Sequence, residues 1–170
     1  GQPKGVAIPH RPLHLHSMYA GLGLRVGDAA VMLHVVPLFH VNGWGSPHFI
    51  TMLGGTHVML RRFDPATLLG LVQAEHVTHL LGVPTIFNAL INFPARGDYD
   101  LASLAACVVG GAPSSPTLIR AIERDLGAEA IVGYGLSETS PVLTLAWPRR
   151  HLEAVEGPDL TAERKATTGW

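Results

Sequence analysis

Residues 106–135 read ACVVGGAPSSPTLIRAIERDLGAEAIVGYG, and this stretch decides the fold. It opens on an apolar run ending in Gly110-Gly111 and closes on a second, Ala130 to Val132, ending in Gly133-Tyr134-Gly135. Short apolar runs bounded by glycine favour strands. Between them Ser115 offers a hydroxyl cap and Pro116 a pre-set first helical residue. Leu118, Ile119, Ile122 and Leu126 then recur on one helical face, and Gly127 supplies the exit. Strand, amphipathic helix, strand is one parallel βαβ unit.

Working outward, the same grammar repeats. Residues 30–36 (AVMLHVV), 56–60 (THVML) and 78–82 (THLLG) read as further strands. Asp64-Pro65 opens a helix with Leu68, Leu69 and Val72 on one face. Thr85 is the expected cap of a short helix bearing Phe87, Leu90 and Ile91, stopped by Pro94. The units recur at roughly 20–28 residues, which predicts an α/β fold with a mostly parallel sheet flanked by helices. Residues 148–170 form a polar surface segment with a helix.

Composition narrows the function classes. The chain is 47% hydrophobic and 15% charged, so it buries a core and is not disordered. Its 12 basic and 13 acidic residues leave a net charge of −1 with no basic block, which argues against a nucleic-acid surface. No apolar run reaches the length of a membrane span. The single cysteine, Cys107, excludes an internal disulfide, suits a reducing, cytoplasmic compartment, and sits in an apolar run expected to bury it.

In a parallel sheet the loops at the carboxyl ends of the strands form the ligand crevice. Three such loops carry chemistry: residues 37–45 (PLFHVNGWG), 110–115 (GGAPSS) and 133–141 (GYGLSETSP). Gly110-Gly111 lets a planar group approach bare backbone, or simply ends a strand before a helix cap. His40 and Trp44, with Gly43 beside them, line an apolar pocket or pack as core. Gly135-Leu136-Ser137-Glu138-Thr139 nearly matches a hydrolase nucleophile elbow, but the fifth residue is Thr139 and the only later histidine, His151, precedes Asp159. A glutamate between hydroxyls suits Mg²⁺ and phosphate better. Residues 1–6 (GQPKGV) bring Lys4 to a glycine turn, which either meets phosphate or is an ordinary turn. His10, His14 and His16 hint at zinc spacing but lack an acidic partner.

Together, residues 1–6, Pro37-Leu38-Phe39-His40, Gly110-Gly111-Ala112-Pro113 and residues 133–139 resemble, in order and spacing, the motifs of adenylate-forming enzymes. The run from His40 to Trp44, with GVPTIFNAL and residues 151–169, is similar to the medium- and long-chain fatty acyl-CoA synthetase branch. The resemblance implies an AMP-binding fold that activates a fatty acid with ATP and transfers it to coenzyme A. Lys4 and Gly5 then end the phosphate-binding loop. Gly111, Ala112 and Pro113 lie along adenine, flanked by Gly133 and Gly135, and Tyr134 stacks on it. Ser137 faces phosphate and, with Glu138, holds Mg²⁺. His40, Val41, Asn42 and Gly43 belong to the acyl pocket, and Trp44 gates it. The same resemblance implies that the chain is an internal piece of a larger enzyme, inactive alone, with a homodimer as the assembly to test. Another adenylate-forming activity, or a nucleotide-binding homologue without catalysis, stays open beside it.

Overall fold

The computed structural model describes residues 2–153 and 155–168. Gly1 of the expected phosphate loop, and residues 154, 169 and 170 of the polar tail, lie outside the described residues.

Six strands form one sheet in the order β2-β1-β3-β4-β5-β6. They are β1 (Val31–His34), β2 (Thr56–Met59), β3 (His79–Gly82), β4 (Ala106–Val109), β5 (Glu129–Gly135) and β6 (Val142–Ala146). The first five run parallel, so the predicted α/β class and all five predicted strands are present. β6 returns antiparallel against β5 and closes that edge.

Alternation along each strand sorts the core onto two faces. Leu33, Leu80, Cys107, Val109, Ala130 and Val132 point to one face. There they meet Leu68, Leu69 and Val72 of α3 (Pro65–Ala74) and Phe87 and Leu90 of α4 (Pro84–Ile91). Leu118, Ile119 and Ile122 of α5 (Pro116–Asp125) complete that layer. Met32, Leu81, Ala106, Val108 and Ile131 point to the other face, against Ala20 of α1 (His10–Gly23) and Phe49 and Ile50 of α2 (Val41–Leu53). Each fully buried Leu or Ile adds about 1.5–3 kcal/mol of transfer free energy to this three-layer stack.

The expected caps at Asp64 and Ser115 form: Asp64 accepts from the Thr67 N–H at 2.9 Å and Ser115 from the Leu118 N–H at 3.2 Å. Thr85 does not cap α4. Val83 occupies the cap position without a side-chain bond, because Pro84 already sets the first helical residue. Residues 41–45, read as the end of a site loop, instead open the helix α2 (Val41–Leu53). The polar tail is not wholly surface. After α6 (Arg150–Glu153), α7 (Pro158–Ala166) buries Ala162 and Lys165. The Lys165 ammonium is satisfied by Glu123 at 2.6 Å, so α7 is tied to α5 by a paired charge rather than an orphan one. Cys107 is fully buried, and burial pushes its thiol well above the usual range, leaving it inert.

Candidate active site

The site is built where parallel strands end. After β1 the chain turns through Pro37 to Phe39 and enters α2 with His40 at its cap. The His40 Nδ1 accepts from the Asn42 N–H at 3.1 Å, which leaves the ring proton on Nε2. Beside it β4 ends at Gly110-Gly111. A Cβ on Gly110 would stand 2.9 Å from the Asn42 Oδ1, and Gly111 holds φ +82°. The backbone at Gly111 therefore calls for glycine, a Cβ at Gly110 would push the Asn42 amide aside, and that amide lies across bare backbone. Its Nδ2 is buried and has no partner among the described residues.

β5 supplies the third wall. Its pairing with β6 slips between Tyr134 and Gly135, and the Tyr134 ring is 45% exposed there. Such irregularities re-aim side chains at strand ends. The chain then makes a single turn of 3₁₀ helix, Ser137–Thr139, before β6. A Cβ on Gly135 would fall 2.0 Å from the Pro141 carbonyl oxygen, so glycine is the only residue that fits. Thr139 locks the turn: its Oγ1 donates to the Pro141 carbonyl at 2.6 Å and accepts from the Leu136 N–H at 2.9 Å. Ser137 and Glu138 are left at the rim, with Glu138 exposed. The two hydroxyls flanking Glu138 thus have different jobs, which their residue types did not reveal.

These walls enclose a cavity of about 290 Å³. His40, Val41, Asn42, Gly111, Gly133, Tyr134, Gly135, Ser137 and Glu138 all line it. Lys4, Gly5, Ala112, Pro113, Gly43 and Trp44 do not. Trp44 is half-buried on α2, edge-on to His48 with ring centroids 5.9 Å apart. The glycines beside it are packed rather than loose: a Cβ on Gly43 would meet the Pro37 carbonyl oxygen at 2.4 Å, and one on Gly45 the Pro141 ring at 2.5 Å.

The apolar floor was not foreseen. Leu24, Phe49, Leu81, Val108, Val142 and Leu145 form it, from elements read only as core or not read at all. His16 also lines the cavity, whereas His10 and His14 line an outer groove between α1 and α2. Among the described residues no three His, Cys, Asp or Glu side chains converge on a metal position. The hydrolase turn fails on topology: an elbow serine joins a strand to a helix, and Ser137 leads into antiparallel β6.

The family model for AMP-binding enzymes matches residues 1–169. The chain belongs to the AMP-binding enzyme family. It is 43% identical over 173 residues to a long-chain-fatty-acid–CoA ligase of Thermus thermophilus, covering 99% of this chain and 31% of that protein. Its fold matches the N-terminal domain of FACL13 from Mycobacterium tuberculosis with a TM-score of 0.85 and 26% identity, over 99% of this chain and 40% of that one. ATP-bound MatB from Rhodopseudomonas palustris matches with a TM-score of 0.76 and 25% identity, over 85% of this chain and 28% of that one. The chain therefore spans about a third of the length of the curated relative it matches. Among the described residues of this AMP-binding chain, no helix is long and apolar enough to cross a membrane.

Proposed function

We propose that this chain is the nucleotide- and acyl-binding part of an ATP-dependent fatty acid–CoA ligase. The carrying observation is one cavity with an apolar floor and a rim made of bare glycine backbone, Tyr134, Ser137 and Glu138. An acyl chain suits the floor, and a nucleotide suits the rim.

A free carboxylate is a poor acyl donor. Its attack on the α-phosphate of ATP expels pyrophosphate and gives an acyl-adenylate, whose AMP a CoA thiolate then displaces. Gly111 with the neighbouring Ala112 and Pro113 borders the adenine, and Tyr134 offers a ring face for it. The unpaired Asn42 Nδ2–H lies against the same glycine backbone. Ser137 donates to phosphate oxygen, and Lys4, from the exposed segment before α1, offsets phosphate charge. Glu138, an exposed hard oxygen beside Ser137, fits Mg²⁺, which would polarise the phosphates when bound. His40, with its proton held on Nε2, stands where the carboxylate must enter. A cytoplasmic location and a homodimer belong to the same proposal; cell fractionation and light scattering on the full-length protein test them.

The direct test supplies the full-length protein with ATP, Mg²⁺, CoA and fatty acids of graded length. AMP, pyrophosphate and acyl-CoA should appear in equal amounts. Release of none of them with any carboxylic acid refutes the ligase.

A further inference from the structure

One polar group in the cavity has no task in the chemistry above. His16, on the inward face of α1, is 1% exposed and lines the cavity, yet neither ring nitrogen has a hydrogen-bond partner among the described residues. Its surroundings hold it by shape alone. Tyr19 meets the ring edge-on, with centroids 5.1 Å apart, and the bare Cα of Gly45 leaves it room, since a Cβ there would stand 3.4 Å from Cε1. Of the other polar side chains on this wall, Ser46 is already committed to the Gly43 carbonyl at 2.9 Å, and Asn42 lies against Gly110 on the nucleotide side. An imidazole whose donor and acceptor are both buried and unpaired at the wall of an apolar cavity is a cost the fold bears without return, unless the ring turns and a ligand supplies the partner.

We infer that His16 makes the cavity select acyl chains bearing a hydroxyl over plain hydrocarbon chains of equal length, an inference that rests on the ligase reading. A hydroxyl both donates and accepts, so it pairs with either ring nitrogen in either tautomer. A plain methylene chain leaves both unpaired. The ring is neutral at neutral pH, its pKa lowered to about 4 by burial and then by neighbouring His48. It therefore offers no charge to a second carboxylate, which sets hydroxy acids apart from diacids as the matching class.

The test uses calorimetric binding to the full-length protein. The probes are dodecanoic acid and three monohydroxy isomers, with the hydroxyl near the carboxylate, mid-chain or terminal. At least one isomer should bind on the order of tenfold more tightly than dodecanoic acid. His16→Phe should bring that ratio to one, and His16→Gln, which restores a donor and an acceptor, should keep most of it. Parity of all three isomers with dodecanoic acid in the unaltered protein overturns the inference, because a water then serves the ring as well as a hydroxyl does. A preference that survives His16→Phe overturns it too. His16→Leu replaces the Phe variant if that protein does not fold. A normal binding ratio without turnover of any acid supports the role of His16 and counts against the ligase alone.

Discussion

Gly45 lets α2 touch the turn that carries Ser137 and Glu138, and it does so by lacking a side chain. An alanine methyl would sit 2.5 Å from the Pro141 Cγ, inside any real contact. Gly45→Ala should therefore cost about 1–3 kcal/mol through overpacking and displace the turn beside the nucleotide. Urea unfolding and adenylation rate should both fall; an unchanged midpoint would mean that Pro141 yields freely. Glu138 poses the opposite case. It is exposed and carries no packing, so Glu138→Gln in the full-length protein should leave the melting temperature nearly unchanged. It should lower pyrophosphate release by orders of magnitude, because the hard anionic oxygen is lost. Release at the unaltered rate would remove Glu138 from the metal. Tyr134, with its ring open to solvent, should act through affinity: Tyr134→Ala should raise the KM for ATP more than it lowers kcat. A fall in kcat alone would exclude stacking.

The helix α2 shows why elements differ in legibility. Its sequence, VNGWGSPHFITML, holds two glycines and Pro47, each unfavourable in a helix interior. Tertiary contacts override that propensity. Pro47 has no N–H for the Gly43 carbonyl one turn back, and the Ser46 hydroxyl donates to that oxygen instead. The Ser46 oxygen then lies 3.3 Å from the His34 Nδ1, so that nitrogen carries the proton. The His34 Nε2 accepts from the His57 Nδ1 at 2.9 Å, and the His57 Nε2 accepts from Thr51 at 3.0 Å. One hydroxyl thus repairs the helix and anchors it to β1. Ser46→Ala should leave a buried carbonyl and a buried N–H unpaired and cost about 1–3 kcal/mol. Denaturant unfolding checks this, and an effect below the usual scatter of surface substitutions would show that the Gly43 carbonyl needs no partner. By contrast α3 and α5 announce themselves, since Asp64-Pro65 and Ser115-Pro116 state their starts and their apolar spacing states their faces. β6 escaped for another reason: VLTLA is apolar enough to read as a strand and is longer than β1 to β4, but it follows the site turn directly and breaks the alternation of strand and helix. The rim of the cavity was legible because glycine pairs and a Ser-Glu-Thr run sit at strand ends. The floor was not, because Phe49, Leu81 and Leu145 are apolar residues on the α2 side of the sheet, and residue type does not separate a cavity wall from a filled core.

At the scale of the whole molecule, burying so many histidines gives the fold a pH signature. His16 and His34 are both held neutral, their pKa values lowered from 6.5 to about 4 by burial first and by a neighbouring imidazole second. His79 is lowered by burial as well, opposed in part by its bond to the Leu24 carbonyl. Well above pH 6.5 the folded and unfolded chains agree that these rings are neutral, and they contribute no pH dependence. As pH falls below 6.5 the unfolded chain takes up protons that the folded chain refuses, so stability drops. The loss from His16 and His34 ends near pH 4, where the folded protein is protonated too. The limiting slope is about 1.4 kcal/mol per pH unit for each ring. The carboxylates act elsewhere. Hydrogen bonds from Thr67 hold Asp64 below its usual range and those from Arg124 do the same for Asp125, so their contributions fade only at lower pH. The unfolding free energy should be level above about pH 7.5, begin to fall as pH approaches the unfolded pKa, and fall steeply from there to about pH 5. His16→Phe, if it folds, should remove close to one proton from the difference and flatten the slope without touching the bonds of His34. A level profile down to pH 5, or a slope unchanged in that variant, would mean that the His16 cavity opens to water and the ring titrates as it does in the unfolded chain.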